Sequence, residues 1–223
     1  FSGPEGTSAA RLALHRRLAP LFTEQHLEPV AMQLSGRGSW SLELDSGATV
    51  VLGRGSEDEL VARSEIWQLL QRYARGLDRL DNALARSCYW DDAIEDHNHF
   101  VGSPDGFIAF ADHATLGFVT CQHGLLNHSC ELAGDDAYCE TYYIFTGQLA
   151  EPPHFMSTGR YIDHFQRRGG EWRIANRVTI VEGHYALGES ELGKGGPPAY
   201  GPGEARPDTR DRNDISYHRP PVP

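Results

Sequence analysis

At 223 residues and 24.7 kDa the chain has room for one large domain, or for a domain with a smaller appended piece, since domains commonly run ~100–200 residues. A formal net charge of -11 and a pI of about 5.4 leave no basic excess to neutralise phosphates. That excludes nucleic acid and anionic membranes as expected partners and favours a small polar or aromatic ligand.

The hydrophobic fraction, 39% with 10% aromatic, is ample for a core. No apolar run approaches the ~18 residues of a membrane span, and no signal peptide opens the chain. It begins at Phe1 rather than Met, which reads as a fragment or a processed product. Cys88, Cys121, Cys130 and Cys139 show no CxxC spacing and sit in hydrophobic or strand-like contexts. They read as small core residues in a reducing, cytoplasmic compartment rather than as disulfides or metal ligands.

In chain order, FSGPEGT is a loop and residues 9–22 (AARLALHRRLAPLF) an amphipathic helix. Residues 27–34 form a strand. Trp40, Leu42 and Leu44 alternate with polar residues, and Asp45-Ser46-Gly47 turns the chain into a second strand over 48–52. Glu57, Asp58 and Glu59 form the acidic first turn of a helix that runs without a break into Ile66. Domain boundaries are expected at residues 63/64 and 187/188.

From Ser64 the pattern is that of a compact α+β domain. The first helix ends at Asp78, and Asp81-Asn82 caps a short second helix through Tyr89. A strand over 93–101 follows. Gly102, Ser103 and Pro104 then supply a turn, an N-cap and an N1 proline for a helix over 104–119. Long strands over 123–132, 137–149, 155–168 and 171–181 come next, with tight turns at Gly134-Asp135 and Gly169-Gly170. Helices followed by a meander predict a cone-shaped, curved antiparallel or mixed sheet covered by helices, with a pocket inside. Residues 188–223, rich in Gly and Pro and then charged, cannot bury enough apolar surface to fold alone. They read as disordered, or as draped over a neighbouring surface through Tyr200, Ile215 and Tyr217.

The stretch IWQLLQRYARGLD concentrates the functional argument. Ile66, Leu69, Leu70, Tyr73, Ala74 and Leu77 recur with the period of a helix with one buried face. Asp78 follows that stripe directly, and a carboxylate carried toward an apolar interior must find a partner. His123, in CQHGLLNHS, is the candidate. An imidazole can take a proton from carbon or hydroxyl at neutral pH, while a buried carboxylate fixes its tautomer and stabilises the imidazolium that forms. The bland alternative makes Asp78 a helix tie and His123 a satisfied core histidine.

Two resemblances bear on this choice. SGPEGT, RGSWSLELDSG and VVLGRGSEDELVAR resemble the periplasmic part of the bacterial cell-division protein FtsQ, over residues 1–63. The membrane anchor, upstream module and closing strands of such a protein have no counterpart, so this piece is expected to be a small α+β appendage.

Over residues 60–188, EIWQLLQRYARGLDRLDNALARSCYWDDA, the helix after VGSPDGF, QHGLLNHSCELAGDDAYCETYY and GRYIDHFQRRGGEWRIANRVTIVEG resemble the SnoaL-like members of the nuclear transport factor two-like superfamily. The resemblance implies a cystatin-like roll. It also implies a cofactor-independent lyase, dehydratase, dehydrohalogenase, aldol-type lyase or isomerase of a small aromatic or polycyclic molecule. In the dehydratase and dehydrochlorinase of that group an aspartate after the first helix orients a histidine at a strand start, and those positions fall on Asp78 and His123. A non-catalytic ligand binder and an FtsQ-related fragment remain the alternatives.

Further pocket candidates are His97, in the run Glu95-Asp96-His97, and Asn127, which strict alternation places on the face of His123. Tyr73, Arg160 and Arg177 are candidate contacts to a substrate oxygen. Tyr142 and Tyr143 compete for the cavity according to register. No metal or cofactor is required by this chemistry, and His97 with His99 lacks the spaced further ligands of a metal centre. No GxSxG, Walker A, dinucleotide fingerprint or HExxH spacing occurs. A homodimer or homotrimer is expected because the open face of such a sheet is usually paired.

Overall fold

The computed structural model describes residues 2–23, 27–188, 210, 211 and 217. Two compact units divide between Leu69 and Leu70, within a single helix.

In the first unit, helix α1 (Ser8–Thr23) is followed by an antiparallel meander of β1 (Pro29–Leu34), β2 (Trp40–Leu44) and β3 (Thr49–Gly53). Gly47 takes φ 80° in the β2–β3 turn, a conformation open to glycine at little cost. Leu14 and Leu18 of α1 join Met32, Trp40, Leu42, Leu44 and Leu60 in one apolar cluster. Helix α2 (Glu57–Asp78) starts with a reciprocal cap: Ser56 Oγ accepts from the Glu59 amide at 3.3 Å and Glu59 Oε2 accepts from the Ser56 amide at 2.8 Å.

The second unit contains the end of α2, then α3 (Asn82–Ser87), β4 (Tyr89–Asp96), β5 (Val101–Gly102) and α4 (Pro104–Thr115). Four long strands follow: β6 (Phe118–Ala133), β7 (Asp136–Leu149), β8 (His154–Arg168) and β9 (Glu171–Leu187). The sheet order is β5-β4-β9-β8-β7-β6, antiparallel except where β4 runs parallel to β9. This is the α+β, curved mixed sheet with helices on one face that the element order predicts.

Several boundaries differ from expectation. The strand expected over 93–101 starts at Tyr89 and stops at Asp96, because Asn98 takes φ 59° in a turn that returns the chain into β5. Asparagine tolerates that left-handed region better than most residues. Helix α4 ends at Thr115, and β6 begins just beyond Gly117.

The interior of this unit is polar as well as apolar. Arg177, with no exposed side-chain surface, donates to both carboxylate oxygens of Asp163 at 2.6 and 2.9 Å. Its guanidinium lies 4.2 Å from each of the Tyr73 and Tyr161 ring centroids. Such a sandwich satisfies a buried cation through ion pairing and cation–π contact together.

The tail expectation falls mostly outside the described residues, Tyr200 and Ile215 included. Two described tail residues are tied to the unit. Arg210 is buried. Tyr217 donates its hydroxyl to Asp81 at 3.1 Å and lies under the Arg75 guanidinium at 4.4 Å.

Candidate active site

The concave face of the second unit encloses a cavity of about 420 Å³, within the range of small-molecule sites. Its wall is largely aromatic: Phe107 and Phe110 from α4, Phe118, Phe145 and Phe155 from the strands, and Tyr161. Polar groups enter at a few points, His97, His123, Tyr143, Ser157 and His184 among them. Register explains one group of these. His123 pairs with Phe145, Phe145 with Ser157 and Ser157 with His184, so one lateral row across β6–β7–β8–β9 supplies four lining residues.

Asp78, the last residue of α2, meets His123 near the start of β6. Its Oδ1 lies 2.6 Å from His123 Nδ1, and its Oδ2 accepts the His123 backbone N–H at 2.9 Å. Only 13% of the Asp78 side chain and 11% of the His123 side chain is exposed, so water competes weakly for this contact. A carboxylate only accepts, so Nδ1 carries the proton of this bond and Nε2 of the neutral ring presents a lone pair. His123 also packs against Phe145, with ring centroids 4.8 Å apart and planes tilted by 55°, which limits its rotation.

Arg210 completes the corner. Its guanidinium donates to the backbone carbonyls of Asp78 (3.2 Å), Leu77 (3.4 Å), Thr115 (2.9 Å) and Phe118 (3.5 Å) and to Thr115 Oγ1 at 3.2 Å. It thereby caps the carbonyl end of α2 with a cation, where the helix dipole favours one, and ties the backbone of Asp78 to α4 and β6.

Two neighbours are held in neutral form. Burial, reinforced by the Asp78 carboxylate, pushes the Cys121 thiol up to about 12, so this cavity-lining cysteine is a protonated wall residue rather than a nucleophile. Burial also raises Tyr143 above the usual phenol range, with a hydrogen bond to Ser157 opposing it. Tyr143 therefore keeps its phenol proton. The ring leans over Gly159, where an added Cβ would lie 2.8 Å from its hydroxyl.

The remaining expected contacts divide. His97 lines the cavity, and of the two tyrosines Tyr143 does so, while Tyr142 lies exposed on the opposite face. Arg160 stands on that outer face as well, 2.7 Å from both Glu140 and Glu182. Tyr73 is wholly buried among Tyr89, Phe107 and Tyr161 behind the cavity wall. Asn127 is exposed, because a register shift between Leu125 and His128 reverses the alternation and turns His128 inward in its place.

The same mechanism hides His184 from a strict two-residue period. A shift between Thr158 and Gly159 carries inward orientation from Val181 to His184. Arg210 lies in a stretch whose composition gives no sign of order.

His128, Cys130 and Cys139 have donor atoms within 4.8 Å of one another. Sequence spacing does not reveal this group because it spans two strands. None of the three lines the cavity, and three donors leave a tetrahedral ion one ligand short.

The fold and the site together define an α+β cone with a histidine–carboxylate pair in the wall of an aromatic cavity. A SnoaL-like domain family model matches residues 58–178, and the chain belongs to that family. The crystal structure of LinA superposes with a TM-score of 0.54 at 22% identity, covering 58% of this chain and 92% of that one. Hexachlorocyclohexane dehydrochlorinase LinA-type3 from Novosphingobium barchaimii LL02 gives a TM-score of 0.53 at 20% identity, with 58% and 92% covered. At these identities the likeness is one of fold.

A second family model, the C-terminal region of the cell division protein FtsQ/DivIB, matches residues 1–84. Cell division protein FtsQ of Thiomonas arsenitoxydans is 31% identical over 88 residues, 36% of this chain and 32% of that protein. FtsQ of Neisseria gonorrhoeae is 38% identical over 73 residues, 32% of this chain and 30% of that protein. The chain thus spans about a third of the length of these curated relatives. The two family matches overlap over residues 58–84, which contain α2 from Asp58 to its last residue, Asp78.

Proposed function

We propose that the SnoaL-like domain is a cofactor-independent lyase, dehydratase or isomerase of a small aromatic or polycyclic molecule, with His123 as general base and Asp78 as its orienting partner. The observation that carries this reading is the 2.6 Å contact between Asp78 Oδ1 and His123 Nδ1, with the His123 ring in the cavity wall. Such a ring takes a proton at Nε2, and Asp78 stabilises the imidazolium that results. Tyr143 supplies a neutral hydroxyl to an enolate or phenolate oxygen, and the phenylalanines provide faces for an aromatic ring. The alternative, binding without turnover, accounts for the cavity and leaves the Asp78–His123 contact as a tie between α2 and β6.

His123→Ala tests the reading. Its turnover is expected to fall to background while its far-ultraviolet spectrum and melting temperature stay close to those of the wild type. Unchanged turnover would end the assignment.

The outer face of the sheet supports a further reading, self-association as a homodimer or homotrimer. Ile94, Tyr138, Tyr142, Ile162, Val178 and Ile180 are exposed on it, interspersed with the Arg160–Glu140–Glu182 ion pairs, and exposed apolar side chains among polar ones suit an interaction surface. Sedimentation equilibrium is expected to give a dimer or trimer that Ile162→Asp dissociates. A monomeric wild type would contradict this.

A further inference from the structure

The chemistry of the cavity leaves one cluster of side chains unused. Beyond the shift between Leu125 and His128, β6 turns His128 and Cys130 toward the inner face of the sheet, directly across from Thr141 and Cys139 of β7. The Cys130–Cys139 row continues into Asp163 on β8 and Arg177 on β9. The cluster thus sits toward the hairpin end of β6, away from His123. One donor atom each of His128, Cys130 and Cys139 lies within 4.8 Å of the other two, and both cysteines are thiols.

Three features fit this cluster to a metal ion. Zinc bonds of about 2.3 Å to sulfur and about 2.0–2.1 Å to nitrogen set tetrahedral donors roughly 3.4–3.8 Å apart, so the side chains close on an ion by moving no more than about 1 Å. Access is available from one side, because His128 and Cys130 are half-buried while Cys139 is buried. The third feature is the support of the imidazole: His128 Nδ1 lies 2.9 Å from the hydroxyl of Thr141, a fully buried residue. A metal-bound histidine hands the proton on its other nitrogen to an oxygen acceptor. Thr141 stands in that place and leaves Nε2 for the ion.

We propose that His128, Cys130 and Cys139 bind a zinc ion that ties β6 to β7, with the fourth position open to water as in other zinc sites with three protein ligands. Two thiolates and an imidazole select a thiophilic ion over magnesium or calcium, which take oxygen ligands. Each thiol gives its proton to solvent as the ion binds, so that Zn²⁺, two thiolates and a neutral imidazole sum to zero charge. A neutral centre suits a place beside the Asp163–Arg177 pair, which has no exposed side-chain surface and no net charge. None of the three ligands lines the cavity, so the ion takes no part in proton transfer by His123.

Cobalt(II) titrated into the reduced, chelator-treated full chain reads the site directly. One equivalent is expected to produce the near-ultraviolet thiolate-to-cobalt charge-transfer band and the strong visible bands of a four-coordinate centre. Zinc is expected to displace the cobalt and raise the melting temperature. Thr141→Val, which removes only the acceptor behind His128, is expected to weaken zinc binding by about 10–100-fold. Cys130→Ser removes a ligand, and is expected to weaken binding further and to lose at least half of the charge-transfer intensity. Cys88→Ala, at a cysteine outside the cluster, is expected to change neither.

A wild type without the charge-transfer band, a band that survives intact in Cys130→Ser, or one abolished in Cys88→Ala would overturn the site. Unchanged zinc affinity in Thr141→Val would overturn the role given to Nε2. Should Cys130→Ser melt well below the wild type before metal is added, His128→Gln is read in the same titration, and undiminished zinc affinity there would equally overturn the site.

Discussion

Replacing Asp163 by alanine is expected to lower the unfolding free energy by about 3–5 kcal/mol, the largest stability effect of any single substitution proposed for this chain. The reason is the position of Arg177. Its side chain has no exposed surface and lies between two tyrosine rings, and Asp163 accepts from two of its nitrogens. Burial alone would lower the Arg177 pKa, but Asp163 and the nearby tyrosines hold it well above the usual arginine value. Deleting the carboxylate leaves a charge that cannot deprotonate and cannot reach water. Urea titration measures the effect, as a shifted midpoint with an unchanged slope. Removing both charges, as Asp163→Leu with Arg177→Met, is expected to recover most of the loss, because apolar pairs often replace buried ion pairs at little cost.

The largest effect on turnover, beside loss of His123 itself, is expected from Asp78→Asn. The variant keeps an oxygen for the His123 amide but turns an N–H toward Nδ1. The ring then accepts at Nδ1 and carries its proton at Nε2, so that no lone pair faces the substrate. We expect kcat to fall by about 10²–10⁴-fold with folding intact. Steady-state kinetics of the folded variant checks this, and a loss below about fivefold would mean that Asp78 acts as a helix tie and no more. The Arg210 bonds to the carbonyls of Leu77 and Asp78 do not depend on that carboxylate, which is why the backbone should hold.

These expectations rest on features that differ in how far the sequence discloses them. The apolar stripe from Ile66 to Leu77 specifies a helix and the side that carries Asp78 inward. The turn residues at Gly134 and Gly169 specify the meander. Local pattern is enough for both, because each depends on neighbours a few residues away.

Register shifts are different in kind. A bulge adds a residue to one strand only, and the two-residue alternation then predicts the wrong face beyond it. Asn127, His128 and His184 all lie past such shifts. Tyr73 shows another limit: its stripe position correctly predicts burial, but burial in the second unit includes both the cavity wall and the layer behind it. Asp163 and Arg177 face each other directly across the β8–β9 hairpin, but the seat of Arg177 between Tyr73 and Tyr161 depends on which elements pack together, and β4 beside β9 is a parallel pairing across a long span of chain. Arg210 is farther still from any periodic signal.

The step that everything else depends on is proton abstraction by His123, and it can be isolated from leaving-group departure. An aryl-substituted ketone with no β leaving group, such as 4-phenylbutan-2-one, cannot eliminate, so in deuterium oxide it reports only removal and return of the α-hydrogen, followed by proton NMR. The wild type is expected to exchange the α-hydrogens well above background, and His123→Ala at the background rate. Equal exchange in the two proteins would contradict the assignment of His123 as the base.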